Sequence, residues 1–197
     1  MCFIAACGEH APAAPEPPRS TYPDASTINA SKLSLVADGS STATITVVLR
    51  DAAGTAARSS AGSLSFETTV GTVSEAVDHN DGTYTGTFTS PTLIGSAVIS
   101  AKLNGVLLAN TLTLSLIAGS VDVSHSVILV EANARTLPAD GLTAGVISVE
   151  PRDVNNNPTA EGVGSVTFAT TLGTLESVLN APIGLHSILL KSSARGT

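Results

Sequence analysis

The sequence contains one stretch of 38 residues twice. Residues 37–74 align without a gap with residues 139–176, at an offset of 102, and 14 of the 38 aligned pairs are identical. The identical pairs include an Ala-Asp-Gly triplet (37–39 and 139–141) and an Arg-Asp pair (50–51 and 152–153). An offset of this size exceeds the roughly 20 to 50 residues of solenoid repeats and equals the length of a small domain. The repeat therefore predicts tandem globular modules, and such modules without a catalytic cluster are typical of structural or binding proteins.

The composition favours β-sheet over helix. Of the 197 residues, 43% are hydrophobic but only 3% are aromatic and 13% are charged, whereas an average soluble domain has about 25% charged residues. Small and β-branched residues take their place, with Gly every few positions, and this pattern is typical of pleated sheet. The sequence therefore predicts an all-β chain.

The charge of the chain excludes one class of partner. The net charge is −7, and Lys and Arg form no cluster. Because proteins bind nucleic acids by neutralising phosphates with cations, we expect no nucleic-acid partner. No apolar run approaches the roughly 18 residues that a membrane-spanning helix needs, so none is predicted.

Residues 1–25 are interpreted as a truncated signal followed by a spacer. Ile4-Ala5-Ala6-Cys7 resembles a bacterial lipobox, and the resemblance assigns lipidation to Cys7. Only six residues precede Cys7, whereas a signal peptide has a basic segment and about 7 to 15 apolar residues. Two interpretations stay open: the true start lies upstream and Cys7 anchors the protein in a membrane, or Cys2 and Cys7 are two thiols in a tail. Five prolines between residues 9 and 24 predict an extended tether.

Residues 26–118 are interpreted as a complete immunoglobulin-like β-sandwich. Apolar and polar residues alternate in several short segments, as at Ile45, Val47 and Leu49. About seven such strands in roughly 90 residues, with turns every 8 to 12 residues, match the spacing of this fold. We assign structural roles to Asp38, Gly39, Asp81 and Gly82 in turns, to Gly71 before a short strand, and to Phe66 and Tyr84 in the core.

Tyr84 has a specific predicted role. It follows the Asp81-Gly82 turn by two residues. In immunoglobulin-like sandwiches, a Tyr at the entry to the sixth strand places its ring in the core and bonds its hydroxyl to nearby backbone. We predict this role for Tyr84. The acidic residues of the preceding turn do not fit a calcium-binding EF-hand loop, because Thr83 stands where that loop requires Gly.

Residues 119–197 are interpreted as a second sandwich that is truncated. The repeat assigns structural roles to Asp140, Gly141, Phe168 and Gly173. Pro151 falls within the strand predicted at 146–153 and indicates an edge strand or a bulge, because Pro cannot donate to the ladder. From about Ser177 the correspondence is lost, and residues 185–196 are not expected to form the strand that matches Tyr84–Phe88. Open apolar faces and strand edges then predict instability or association.

Four motifs together resemble the group 1 bacterial immunoglobulin-like domain, which occurs in tandem in invasin-like and intimin-like surface proteins. They are Ala37-Asp38-Gly39, Arg50-Asp51, the segment 66–72 and Asp81-Gly82-x-Tyr84. The resemblance covers one full module and the first half of a second. It implies a location in the bacterial cell envelope and a stalk role, since receptor contact in that family lies in a terminal domain. It assigns receptor binding to no residue of this sequence.

The residues that carry chemistry in enzymes are scattered in this sequence. The four His residues, His10, His79, His125 and His186, show no spacing that suggests zinc binding or activation of a nucleophile. No Gly-rich phosphate loop opens a helix. The sequence therefore predicts a protein that is not an enzyme, with no cofactor, no metal and no small-molecule substrate.

Three functional hypotheses follow from the sequence. The first is a cell-envelope protein, anchored in the outer membrane through a lipid on Cys7 and facing the surface or the periplasm. Its modules would act as an adhesion stalk or contact a host or bacterial surface ligand. The second is an accessory module, of carbohydrate-binding type, from a larger envelope enzyme. The third is a truncated gene product without function.

Overall fold

The computed structural model describes residues 25–159, 166–177 and 184–194. The predictions for Cys7 and for the Pro-rich tether lie outside these residues. Apart from one 3-10 turn at Ala132–Ala134, all regular elements within the described residues are β-strands. The all-β class expected from the composition is confirmed. Within the same residues, no helix has the length and apolar character needed to cross a membrane.

The first module is a two-sheet sandwich. Its strands are, in chain order, β1 (Thr27–Ala30), β2 (Ser34–Val36), β3 (Thr42–Val48), β4 (Leu64–Thr68), β5 (Thr72–Val73), β6 (Val77–Asp78), β7 (Thr83–Thr89), β8 (Gly95–Leu103), β9 (Val106–Leu107) and β10 (Leu112–Ile117). One sheet has the order β1-β3-β7-β5 with β6 on β7, and the other has the order β2-β10-β8-β4 with β9 on β8. This is the immunoglobulin-like arrangement that the strand spacing predicts.

Alternating aliphatic side chains form the core between these sheets. Ile45, Val47 and Phe88 from the first sheet and Ile99 and Leu114 from the second are completely buried. Their neighbours along each strand point outward, as the two-residue period of a strand requires. Aliphatic packing therefore supplies most of the apolar burial that stabilises this module.

Tyr84 lies in the core, but on a different strand from the one predicted. Its side chain is 1% exposed. Its hydroxyl donates to the carbonyl of Gly62 at 2.8 Å and accepts from the Ala61 amide at 3.1 Å. Tyr84 is the second residue of β7, which pairs with β3 in the first sheet, whereas the sixth strand of an immunoglobulin sandwich belongs to the opposite sheet. The assignment of Tyr84 to the sixth strand is therefore wrong, because strand order along the chain does not reveal which sheet a strand joins.

The second module contains one sheet within the described residues. Its strands are β11 (Val121–Val130), β12 (Ala144–Asp153), β13 (Thr174–Ser177) and β14 (His186–Lys191), in the order β11-β12-β14-β13. This order repeats that of the first sheet of the first module. The expected all-β fold class with immunoglobulin-like modules is confirmed, and the truncation of the second module stays a prediction.

The structural repeat extends beyond the sequence repeat. Thr42 pairs with Thr89 between β3 and β7, and Ala144 pairs with Lys191 between β12 and β14, at the same offset of 102. The expectation that residues 185–196 do not form the counterpart of the Tyr84 strand is therefore wrong. Backbone pairing sets this register, and it tolerates the replacement of Tyr84 by His186 because the ladder bonds use no side chains.

Gly71 and Gly173 occupy equivalent positions in the repeat, and both positions require Gly for the same structural reason. Gly71 has a φ of 72°, and a Cβ at this position would lie 2.6 Å from the carbonyl oxygen of Thr89. Gly173 has a φ of 88°, and a Cβ there would lie 2.3 Å from the carbonyl oxygen of Lys191. A residue with a side chain would therefore be both strained and in collision with the neighbouring strand.

Pro151 lies opposite a bulge. The pairing of β11 with β12 is regular on both sides of Pro151 but shifts between Asp122 and Val127. The bulge leaves Pro151 without a ladder partner on that side, which suits a residue that has no N–H. Of the two alternatives drawn from the sequence, the bulge is the one observed, and β12 is an inner strand.

The segment around Phe168 differs from its counterpart. Phe66 lies on β4, whereas residues 166–170 form no strand, and Phe168 is half-buried. The sequence repeat therefore does not produce a strand equivalent to β4 at residues 166–170. In the first module β4 pairs with β8, and the described part of the second module offers no strand equivalent to β8.

We predict that Tyr84→Phe destabilises the first module by about 1 to 3 kcal/mol. The substitution keeps the ring but leaves the Gly62 carbonyl and the Ala61 amide without their buried partner. Urea unfolding followed by circular dichroism measures the change. Thr87→Val, which removes an exposed hydroxyl from the same strand, serves as the control and should stay within about 0.5 kcal/mol of the wild type. Equal effects of the two substitutions would contradict the role of the Tyr84 hydroxyl.

Candidate functional site: the junction between the modules

The Ala-Asp-Gly triplet of the first module builds a turn between β2 and β3. One carboxylate oxygen of Asp38 accepts bonds from the amides of Ser40 and Ser41, at 2.8 and 2.6 Å, and from the Ser90 hydroxyl at 3.2 Å. The Gly39 amide donates to the carbonyl of Pro91 at 3.2 Å. These bonds tie the turn to the segment between β7 and β8. The two together form one end of the module, which we call the acceptor end.

The second copy of the triplet has the same geometry. The Asp140 carboxylate accepts bonds from the amides of Leu142 and Thr143, both at 2.8 Å, and from the Thr143 hydroxyl at 2.6 Å. The Thr143 hydroxyl and these amides lower the pKa of Asp140 to about 2. In the first module, the Ser41 hydroxyl and amide hold the pKa of Asp38 far below its usual range. Both carboxylates are therefore built to act as charged acceptors.

The Arg-Asp pair of the second module begins a second kind of turn, residues 153–157, which we call the docking loop. Its internal bonds run from the amides of Asn155 and Asn157 to one oxygen of the Asp153 carboxylate, both at 2.9 Å. The Asp153 amide donates to the Asn157 carbonyl at 2.9 Å. Asn156 has a φ of 64°, a left-handed conformation that Asn tolerates better than most residues. The loop is thus a preformed, hydrogen-bonded unit.

The docking loop contacts the acceptor end of the first module. Asn157 donates from its side chain to the Thr92 carbonyl at 2.8 Å and accepts from the Ile94 amide at 3.3 Å. Asn155 donates from its side chain to the Ala37 carbonyl at 3.3 Å. The two Asn side chains therefore bond backbone groups of the first module at three points.

Asp153 connects the docking loop to the segment between the modules. Its second carboxylate oxygen accepts from the Gly119 amide at 2.9 Å and from the Asn157 side chain at 2.9 Å. Asp153 is 1% exposed and Asn157 is 3% exposed. Burial raises the pKa of Asp153, but the bonds from Asn157, Gly119 and Asn155 outweigh it and lower the pKa below its usual value. A buried charge with this many donors fixes the position of Gly119 relative to β12.

The equivalent loop of the first module has the same backbone but not the same contacts. The amides of Ala53 and Thr55 donate to the Asp51 carboxylate at 3.0 and 2.9 Å, and Gly54 donates to the Asp51 carbonyl. Residues 52–55 are all exposed. Where the second module has Asn155 and Asn157, the first has Ala53 and Thr55. The side chains of Ala and Thr have no amide group, so they cannot form the same hydrogen bonds. The junction therefore depends on a departure from the repeat.

Of the residues to which the sequence assigns structural roles, only Asp38 and Gly39 belong to the junction. Asp38 and Gly39 lie at the junction, on the acceptor end, whereas Asp140 and Gly141 form the equivalent turn of the second module. Asp81 accepts from the Thr83 amide at 2.9 Å, and the Gly82 carbonyl accepts from Leu49. The remaining residues, which lie away from the junction, are Phe66, Gly71, Tyr84, Phe168 and Gly173.

The residues that complete the junction were not among those predicted. For Asn155 and Asn157 the sequence indicates only a polar turn. The signal that could have identified them is the replacement of Ala-Gly-Thr at 53–55 by three consecutive Asn at 155–157 within an otherwise similar loop.

Comparison with known proteins agrees with this architecture. Residues 22–119 match the family described as invasin, domain 3. The first module is an invasin-type domain. Invasin itself, described as a bacterial integrin-binding protein, is 26% identical over 87% of this chain, with a TM-score of 0.68. The matched region spans 35% of the chain in that structure. The expected resemblance to invasin-type immunoglobulin-like domains is confirmed.

Two further structures share the fold. InvD of Yersinia pseudotuberculosis is 22% identical over 86% of this chain and 49% of its own, with a TM-score of 0.66. The Escherichia coli adhesin FdeC is 23% identical over 88% of this chain and 57% of its own, with a TM-score of 0.54. Each match extends beyond the first invasin-type module into the second.

The described residues contain no group of three or more His, Cys, Asp or Glu side chains that could hold a metal ion. The carboxylates with lowered pKa values accept bonds within turns or at the junction. The pKa values are therefore lowered by hydrogen bonds that hold the turns and the junction together, and a lowered pKa of this kind does not by itself indicate a catalytic group.

We predict that Asn157→Ala loosens the junction. The substitution removes the donor to Thr92 and the acceptor for Ile94, so the junction should lose about 1 to 3 kcal/mol. Amide hydrogen exchange measured by NMR should become about 5-fold to 150-fold faster at Ile94 and Gly119. Thr55→Ala, the same position in the exposed loop of the first module, should leave both rates unchanged. Unchanged exchange in Asn157→Ala would show that these bonds do not hold the modules together.

We also predict that acid opens the junction only below the usual pKa range of Asp. The folded pKa of Asp153 is lowered, so its contribution to the junction is complete above the unfolded pKa of about 3.9 and is lost as the pH falls through the lower, folded value. The chemical shift of the Gly119 amide should therefore titrate with a midpoint below about 3.9. Asp153→Asn should remove this titration. A midpoint at or above the usual Asp value would contradict the assigned role.

Proposed function

We propose that this chain is a non-catalytic part of a bacterial cell-envelope adhesin, in which invasin-type modules act as a stiff stalk. A lipid anchor at Cys7 belongs to the same proposal and would place the stalk at the outer membrane. The observation that carries the stalk role is the junction, where a buried carboxylate and two Asn side chains bond the second module to backbone groups of the first.

The form of the junction supports a mechanical role. Two domains joined by a short linker move relative to each other by default unless their interface restrains them. Here the linker amide of Gly119 is itself one of the donors, and the other bonds enter from two sides of the acceptor end, at Ala37 and at Thr92. Hydrogen bonds to fixed backbone groups have strict directions. The junction therefore restrains both bending and twisting.

The similarity to invasin supports the adhesin class but not a particular receptor. Invasin is described as integrin-binding, and the matched region spans only 35% of the chain in that structure. We therefore propose the stalk and not the receptor contact for these two modules. Contact with a host or bacterial surface ligand through exposed strand edges is the broader form of the same proposal.

The carbohydrate-binding alternative receives no support from the aromatic residues. Sugar-binding platforms usually present exposed aromatic rings, because the ring faces pack on the sugar. Of the four described aromatic residues, Tyr84 and Phe88 are buried, and Phe66 and Phe168 are half-buried. No described surface has the chemistry that such a module needs.

Small-angle X-ray scattering of the purified chain tests the stalk role. We expect the wild-type curve to be fitted by one relative arrangement of the two modules. Asn157→Ala should require a range of arrangements, and Thr55→Ala should match the wild type. A wild-type curve that needs a broad range of inter-module angles would reject the stiff stalk. Adhesion of beads coated with the chain to epithelial cells, above the level of albumin-coated beads, would favour the contact role instead.

A further inference from the structure

The turn between β8 and β9 is formed by a single Asn-Gly pair. Leu103 pairs with Val106, so the turn contains only Asn104 and Gly105. Their φ angles are 50° and 82°, and a two-residue hairpin turn with two positive φ values has a strong preference for Asn-Gly. This is the only Asn-Gly pair in the sequence. Both residues are exposed, so water reaches the turn.

The Asn104 side chain fastens this turn to residues 61–63, which lead into β4 and which we call the clamped segment. Its Oδ1 atom accepts from the Ser63 amide at 3.0 Å, and its Nδ2 atom donates to the Ala61 carbonyl at 2.9 Å. The Asn104 backbone amide also donates to the Ser63 carbonyl at 2.8 Å. Gly62 leaves room for this side chain, because a Cβ at position 62 would collide with it. Asn104 therefore uses both ends of its side-chain amide to hold one segment.

Tyr84 holds the clamped segment from the opposite sheet. Its hydroxyl accepts from the Ala61 amide and donates to the Gly62 carbonyl, whereas Asn104 takes the Ala61 carbonyl. The chain passes here from the first sheet to the second, so the clamped segment receives one side chain from each sheet. Loss of either side chain leaves backbone groups of this segment without their partner.

An Asn-Gly pair can react with itself. The backbone nitrogen of Gly105, after losing its proton to hydroxide, attacks the side-chain carbon Cγ of Asn104, and Gly hinders this attack least because it has no side chain. A five-membered succinimide ring forms, the bond from Cγ to Nδ2 breaks, and Nδ2 takes a proton from water and leaves as ammonia. Water then opens the ring at either carbonyl, which gives aspartate or isoaspartate. The reaction consumes water, releases ammonia and needs no oxidant, reductant or enzyme.

We propose that Asn104 is a site of spontaneous deamidation, which the closed clamped segment suppresses and which prevents this segment from closing again once it has occurred. Suppression follows from the hydrogen bonds, because Nδ2 cannot leave while it donates to Ala61. The reaction therefore proceeds from an opened turn, at a rate set by the population of that state. Two side-chain hydrogen bonds of ordinary strength reduce this population by roughly 10-fold to 30-fold.

The product cannot restore the clamp. Aspartate has no N–H to donate to the Ala61 carbonyl, and its negative charge would lie against that carbonyl oxygen. Isoaspartate also adds a methylene group to the backbone, which the two-residue turn between Leu103 and Val106 does not accommodate. Deamidation therefore converts a transient opening of the first module into a permanent one. This inference does not depend on the adhesin proposal or on the junction.

Mass spectrometry of the full chain, incubated at neutral pH and then digested, measures the reaction. Aspartate and isoaspartate at position 104 are counted together, and labelling by isoaspartate methyltransferase identifies the second. We expect Asn104 to react at least about 10-fold more slowly in the folded chain than in the chain unfolded in urea. Asn29, which precedes Ala30 instead of Gly, is the internal control and should react far more slowly in both states. Equal rates at Asn104 in the two states, or no product in the unfolded chain, would overturn the proposal.

Gly62→Ala tests the clamp itself. The added Cβ displaces the Asn104 side chain, so deamidation of the folded variant should be at least about 5-fold faster than in the wild type. Gly54→Ala is the matched control, because Gly54 also has a positive φ, 78°, but a Cβ there meets no atom within 4 Å. This control should leave the rate unchanged. A folded Gly62→Ala variant that reacts at the wild-type rate contradicts suppression by the clamp.

Asn104→Asp tests the permanent opening and remains informative if Gly62→Ala does not fold. The substitution reproduces the aspartate product, so it should lower the folding equilibrium constant of the first module by at least about 5-fold in urea unfolding. Asn29→Asp adds the same charge at an exposed position of β1 and should change this constant by less than about 3-fold. Equal stability of Asn104→Asp and the wild type would show that the product closes again, against the proposal.

Discussion

An apolar sheet face in water must be covered, and this constraint organises the whole chain. In the first module the second sheet provides the cover, and Ile45, Val47, Phe88, Ile99 and Leu114 pack out of contact with solvent. In the second module the same four-strand order and the same register recur, but the aliphatic residues remain partly exposed. The two modules thus show one sheet in two situations, with and without its opposing partner within the described residues.

The junction is held by a different kind of interaction. Two of its buried residues, Asp153 and Asn157, are polar and only 1% and 3% exposed. Apolar contacts alone would hold the modules close but would set their angle weakly, because the hydrophobic effect has no direction. Hydrogen bonds from Asn155 and Asn157 to backbone carbonyls fix the angle instead. An orientation that depends on such bonds is suited to a structural module that must keep its shape under load.

The two repeated motifs form the two sides of this junction. The Ala-Asp-Gly triplet builds the acceptor end of a module, and the Arg-Asp pair begins the loop that docks onto such an end. Each module carries both motifs, but the Asn residues that make the contacts occur only in the second. The repeated turns therefore supply the geometry that the two modules share, while the loop side chains decide which contact is made.

Much of the fold follows from the residues themselves. The alternation of apolar and polar residues predicts where the strands lie, and Asp and Gly predict the turns. The position of Tyr84 after a turn predicts that its ring lies in the core. Each of these predictions depends only on residues that are close in sequence. Three consecutive Asn residues at 155–157 also indicate a polar turn, but they do not indicate its role. A local pattern can show that a loop is preformed without showing what the loop contacts.

Tertiary structure alone decided the remaining features, since they depend on residues far apart in the chain. β7 joins the first sheet by pairing with β3, and β14 pairs with β12 in the same register although the sequence similarity is lost there. These pairings join residues far apart in the chain, so local sequence patterns do not reveal them. The bond from Asn155 to Ala37 spans 118 residues. The sequence determined the period, the turns and the apolar faces, whereas the meeting of the two modules and the exposure of the second sheet required the folded chain, because burial is a property of what packs opposite.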